Sequence, residues 1–183
     1  MGVLEQTHRL NIQADVLQSN TDSGNTDAVQ CAAQSIIDVI EGSKGPHYQP
    51  LPGKCALQNV TTTGDGFGLL GKGYVVDAAE HAVLATSQPD ATDQMRLHEG
   101  LVEVALSNIK GWVTTVDQDA VDLLKNPTDL AKVQEIVMLS DAAYHGVDVN
   151  GDGQIDPVAG EAGALTAYLQ GQLMASFTLV SDG

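Results

Sequence analysis

Basic residues are scarce in this chain: 8 Lys and Arg stand against 24 Asp and Glu, a formal net charge of −16. A surface of that sign repels phosphate backbones and anionic membranes and attracts divalent cations, so nucleic acid is not an expected partner. Aromatic residues are also few, 4% of the chain, which leaves no obvious stacking platform for bases or sugars. The core must therefore be built from Val, Leu, Ile and Ala. Nowhere do apolar residues run for the roughly 18 positions that a membrane span needs, so membrane insertion is not expected. A Gly-x-Ser-x-Gly elbow, a His-Glu-x-x-His motif and a Cys-x-x-Cys pair are all missing. No motif thus points to nucleophilic or metal-assisted hydrolysis, and the chain reads as a non-enzyme.

Acidic chains are often disordered, but those are usually poor in apolar residues; here 43% are hydrophobic, enough for a folded core. A length of 183 residues suits one domain, residues 1–183. Val3, Leu10, Ala14 and Leu17, with Thr7 between, recur at helical spacing and predict a helix ending near Gln18. The polar run Ser19–Asn25 reads as a turn, with Asn25 or Thr26 capping a second helix that reaches about Glu41. Ala28, Val29, Ala32, Ile36, Val39 and Ile40 form its apolar face, and Gly42 ends it. Helical patterns return over about Gly73–Thr86, Ala91–Val116, Gln118–Leu124, Thr128–His145 and Gly163–Ala175, while the tail Ser176–Gly183 is ambiguous. Mostly short connections favour antiparallel neighbours, so the expected fold is an all-α antiparallel bundle.

Residues 42–72 break this pattern with Pro46, Pro50, Pro52 and repeated glycines. A long ordered loop usually needs a staple or a function. The chain has two cysteines: Cys55 lies in this loop, and Cys31 sits off the apolar face of its helix. A Cys31–Cys55 disulfide would tether the loop, contributing roughly 3–4 kcal/mol in the chain-entropy model, and would imply an oxidising compartment. Two free buried thiols are the alternative.

The strongest local signal is Asp148-x-Asn150-x-Asp152-Gly153-x-Ile155-Asp156. Oxygen donors at alternate positions converge when the chain curls, Gly153 permits the sharp turn, and Ile155 anchors the loop to the core. Gln154 would offer its backbone carbonyl. Over this stretch the chain resembles the EF-hand class of calcium loops, and Ca2+ is the expected ion. It departs where a bidentate Glu is required: that position is Ala159, and the available acid is Glu161, two residues later. Pro157 and Gly160 would let an enlarged loop, 148–161, bring Glu161 back. Asp156 is a further candidate ligand.

Other features are weaker. Thr61–Leu70 is glycine-rich but lacks the Lys-Ser/Thr pair of a phosphate cradle; Phe67, Leu69 and Leu70 are expected to plug it into the bundle, with a weak cation site at Asp65 as a lesser reading. His8 and His81 lie off their apolar faces and should be exposed. His47 belongs to the proline-rich loop, and His145 stands near a helix end. His98 falls within the stripe Met95, Val102, Ala105, Ile109 and should be buried. It carries the alternative function, a haem- or transition-metal-binding carrier or sensor with a facing ligand such as Met138.

Ile37–Gly42, Gly64–Leu70, Pro89–Thr92, and Gly146–Asp148 through Gly160–Tyr168 together resemble a group of secreted or lipoprotein-type helical bacterial proteins. That resemblance implies export and an all-α fold with a calcium loop, and it supplies no catalytic residue. The start Met1-Gly2, running at once into a helical pattern, fits an export segment already removed. The expectation is a secreted, periplasmic or cell-surface calcium-binding module, structural or interactive in role, with a protein or cell-surface partner.

Overall fold

The second helix carries the core. In the computed structural model, which describes residues 2–58 and 65–176, α2 (Thr26–Glu41) starts where Asn25 Oδ1 accepts the Ala28 N–H at 3.1 Å. From Ala28 to Ile40 only Gln30 escapes burial. Polar residues share that burial: Gln34, Ser35 and Asp38 are enclosed along with Ile36, Ile37, Val39 and Ile40. A helix enclosed on every side has neighbours all round, and α2 packs against α1 (Gly2–Asp22), α4 (Asp93–Lys125) and a 3-10 turn over Gly53–Gln58.

The longest element, α4, has 33 residues and is about 50 Å in length at 1.5 Å per residue. It contacts α2, α3 (Tyr74–Thr86), α5 (Leu130–His145) and α6 (Ala164–Met174). Val102, Ala105, Leu106, Ile109, Val113, Val116, Ala120 and Leu123 form its buried stripe. With α1 lying on α2 and α5, the result is a helical bundle of six α-helices without strands among the described residues. None of these helices is long and apolar enough to cross a membrane.

The start of α2 at Asn25 and its end at Gly42 follow the sequence signals. Thr92 accepts the Met95 N–H and Asp129 the Lys132 N–H as N-caps, while Gly42 (φ 70°) and Gly146 (φ 93°) end α2 and α5. Two boundaries differ. α1 continues past Gln18 to Asp22, supported by Thr21 Oγ1 donating to Leu17 O and by a Gln18–Asp22 side-chain bond. The segments expected to separate near Asp117 are one unbroken helix, and just past the expected break stands Asp119. It is buried, and its carboxylate accepts from Lys132 Nζ on α5 at 2.6 Å.

The Cys31–Cys55 disulfide is present, with Cα atoms 5.4 Å apart. The positional reason for expecting it does not hold, however: both cysteines are buried, because α2 has almost no solvent side for Cys31 to occupy. Where the loop returns, Leu69 and Leu70 both donate their N–H to Ile40 O, at 2.7 and 2.9 Å, closing over the end of α2. Leu69 is fully buried and Leu70 partly so, but Phe67 is 66% exposed and lies against the Tyr74 ring, not in the core. Asp65 accepts from Tyr74 Oη at 2.6 Å, and that bond chiefly pushes the phenol up to about 12. The glycine-rich segment's first residues, Thr61–Gly64, and the tail from Phe177 lie outside the described residues.

Candidate functional site

The acidic loop lies between α5 and α6, and glycines form its neck. A Cβ on Gly146 would come within 2.5 Å of Glu161 O and of Ile155 Cγ2, and one on Gly163 within 2.5 Å of Gly146 N. The two sides can therefore meet only as glycines. They join through Val147 N–H to Glu161 O at 2.9 Å. The Ile155 side chain fits beside Gly146, half-buried at the neck of the loop and outside the main core to which it was expected to anchor.

Inside the neck the chain curls around Asp148. Its Oδ1 accepts N–H groups from Gly151 (2.7 Å) and Asp152 (3.2 Å), and its Oδ2 accepts from Gly153 (2.8 Å). Asn150 Oδ1 takes the Asp152 N–H and Asp152 Oδ1 takes the Gln154 N–H, each at 2.9 Å. Gly151 and Gly153 hold φ of 76° and 86°, conformations that side chains rarely adopt.

Glu161 comes back to this loop. It is 3% exposed, and its Oε1 accepts the Asn150 N–H at 3.2 Å while its Oε2 accepts the Asp156 N–H at 3.1 Å. Asn150 Nδ2 lies 3.4 Å from Asp156 Oδ2. Asp148, Asn150, Asp152, Gln154, Asp156 and Glu161 are thus tied into one hydrogen-bonded ring, Gln154 through its backbone. The carboxylates bond to backbone N–H groups and do not close into a tight cluster.

One residue of this assembly has no signal in the loop sequence. Asn108, on α4, donates from Nδ2 to Val158 O (3.0 Å) and Ala162 O (3.1 Å), and its Oδ1 accepts the Gly160 N–H at 2.9 Å. It pins the enlarged part of the loop to the bundle. Nothing in its i, i+3, i+4 neighbourhood separates it from an ordinary helix-surface amide.

The histidines divide differently from expectation. His8 and His81 are exposed as their phases predict. His98 is only half-buried; its stripe neighbours Met95 and Val102 border an apolar cleft of about 660 Å³ between α1, α3, α4 and α6. Its Nδ1 lies 2.7 Å from Gln170 Oε1 on α6. Met138, one facing ligand that the alternative could use, is 61% exposed on α5. Among the described residues the three acid or histidine side chains whose ligand atoms lie within 4.8 Å of one another are Glu41, His47 and Asp117, and His98 is not one of them.

That second cluster joins the end of α2, the proline-rich loop and the middle of α4. His47 Nδ1 is 2.7 Å from Glu41 Oε1, and the His47 N–H donates to Glu41 Oε2 at 2.7 Å. Burial, and then the negative charge of Glu41, push the Asp117 carboxyl up to about 6 against the pull of His47. No spacing rule could have found this group, because 70 residues separate His47 from Asp117. No protein-family model, no curated protein and no solved structure matches the chain.

Proposed function

We propose that loop 148–161 binds a calcium ion and that the chain is an extracytoplasmic helical module with a structural or interaction role. The observation that carries this reading is Glu161. It stands two residues beyond the place of the bidentate Glu in the EF-hand pattern, yet it is buried and bonded back to Asn150 and Asp156. Asp148, Asn150, Asp152 and Asp156 supply oxygens in the same ring, and oxygen-rich, flexible donor sets favour Ca2+ over the more compact Mg2+. The net charge of −16 favours a dication on the same ground. The buried disulfide supports an oxidising compartment.

The test is calorimetric titration of chelator-treated protein with Ca2+ and with Mg2+, beside thermal melting in EDTA. One equivalent of Ca2+ should bind in the micromolar-to-millimolar range, Mg2+ more weakly. An ion bound to the folded chain stabilises it by about 2.7 kcal/mol at a hundredfold excess over Kd. Combining Asp148→Ala with Asp152→Ala should abolish both the heat and the shift in Tm. Equal melting of the wild-type protein in EDTA, Ca2+ and Mg2+ would leave the loop an empty turn.

A further inference from the structure

We propose that Glu41, His47 and Asp117 form a second metal site, separate from the acidic loop, for a dication of the zinc class. One imidazole nitrogen and two carboxylate oxygens already lie within 4.8 Å of one another. Tetrahedral zinc, with bonds of about 2.0–2.2 Å to N and O ligands, sets its donors about 3.4 Å apart, so closing on an ion needs side-chain movement of roughly an ångström. The mixed nitrogen and oxygen set, with only three protein donors, suits such an ion better than Ca2+, which takes six to eight oxygens.

His47 faces solvent, but the enclosure of the two carboxylates also points to a cation. The Glu41 side chain is 6% exposed. Asp117 Oδ1 has no contact with solvent and no hydrogen-bond partner. A buried carboxylate oxygen without a donor is costly, and a dication is a partner that satisfies it. Lys44 and Lys72 line the adjoining cleft, yet neither forms an ion pair with Glu41 or Asp117.

The site is also held in place by groups outside it. Gln34, buried on α2, donates from Nε2 to His47 O at 3.0 Å, and Asp38 Oδ1 accepts the Gln49 N–H at 3.1 Å. Gly45 lets the chain pass over the Glu41 side chain, since a Cβ there would lie 2.1 Å from Glu41 Cβ. The Cys31–Cys55 bridge tethers the same loop. To ligate through Nδ1 the neutral imidazole carries its one proton on Nε2, so the ion replaces the His47 Nδ1–Glu41 Oε1 hydrogen bond. Glu41 Oε2 keeps the His47 N–H and so holds its carboxylate in position. Glu41 and Asp117 also line a cavity of about 680 Å³, so the remaining coordination position opens to it. Three protein ligands with one open position is the pattern of zinc sites that exchange a water.

The experiment uses the full, disulfide-intact chain, stripped by chelator and then kept in excess Ca2+ so that the acidic loop is not a competitor. Co2+ is titrated as a spectroscopic probe, and Zn2+ by competition with a chromophoric chelator. One equivalent of Co2+ should give visible d–d bands of four- or five-coordinate intensity, which Zn2+ bleaches. His47→Gln and Asp117→Asn should each weaken Zn2+ binding by at least about tenfold, the lower end of what even an outer-shell change costs. His81→Gln and the Asp148→Ala, Asp152→Ala pair should leave it unchanged. His47→Gln replaces an exposed loop residue and keeps the test valid if Asp117→Asn does not fold. Unaltered Zn2+ affinity in His47→Gln, or loss of binding in His81→Gln, overturns the proposal. So does the absence of a d–d band in the wild-type protein.

Discussion

Asn108 holds Gly160 to the flank of α4: its Oδ1 accepts the Gly160 N–H at 2.9 Å while its Nδ2 serves the carbonyls of Val158 and Ala162 on either side. The part of the loop that exceeds EF-hand length is therefore not slack. One amide, using both of its ends, bonds three backbone groups of the inserted turn.

Asn108→Ala leaves those three groups to find other partners. We expect a loss of about 1–3 kcal/mol in urea unfolding in EDTA, the usual cost of unsatisfied polar groups, together with weaker Ca2+ binding. Asn108→Asp should be no better, because it keeps the acceptor for Gly160 but removes the donor to Val158 and Ala162. Stability and Ca2+ affinity both at the wild-type level in Asn108→Ala would show that the pin is unimportant.

Removing the carboxylate that returns to the loop has a different signature. Glu161→Gln keeps one oxygen for the backbone N–H groups but takes away a charge and a bidentate ligand. We expect the protein to remain folded in EDTA and to bind Ca2+ at least about tenfold more weakly, a change of about 1.4 kcal/mol. Calorimetry reads both numbers. Undiminished Ca2+ affinity would place the ion, if bound, away from Glu161.

The Cys31–Cys55 bridge spans 24 residues of sequence. The chain-entropy model gives about 3.5 kcal/mol for a loop of that size. Cys31→Ala with Cys55→Ala should lower unfolding free energy by roughly that amount, with some addition from the volume lost at two buried positions. Guanidinium titrations of the bridged and doubly substituted proteins measure it; equal midpoints would mean that the loop is held by its other contacts alone.

Acid should stabilise this protein over part of its range. Burial raises the Asp38 carboxyl from 3.8 to about 6, against the opposing bonds from Gln34 and Gln49, and Asp117 is raised to about 6 chiefly by burial as well. Between about pH 4 and pH 6 the folded chain therefore holds protons on these groups that the unfolded chain has released. Stability contributed here falls as pH rises, and each shift corresponds to roughly 2–3 kcal/mol. Asp38→Asn should remove about half of that slope and leave the remainder to Asp117. Melts from pH 4 to pH 8 that slope equally in both proteins would contradict the assignment to Asp38.

The cap and stop of α2 and the tight turn over residues 148–156 were legible because they depend on neighbours within a few residues. Asn25 caps α2 and Gly42 ends it through bonds to atoms three or four positions away, whereas Thr92 and Asp129, which cap α4 and α5, read as helix residues in the sequence. What was not legible depends on tertiary partners. The break expected near Asp117 is absent: Asp119, just past it, is buried and paired with Lys132 from α5 within one continuous helix. His98 lies on an apolar stripe, yet it is only half-buried, its ring set against the Gln170 amide of α6. Phe67 looks like a plug by composition, yet the backbone bonds of Leu69 and Leu70 to Ile40 turn it outward. The Glu41, His47 and Asp117 cluster exists only because α2 and α4 pack together and the proline-rich loop folds over them.

The enclosure of α2 also orders the motions of the molecule. Its amides are shielded by α1, by α4 and by the returning loop at once, so no single peripheral element can peel away and expose them. Local openings at the acidic loop or at the first turns of α4 exchange deuterium without reaching Ala32–Ile40, whose exchange must await global unfolding. The slowest-exchanging amides should thus report the stability of the whole fold. They belong to the helix that also supplies Cys31 to the bridge and Glu41 to the second cluster.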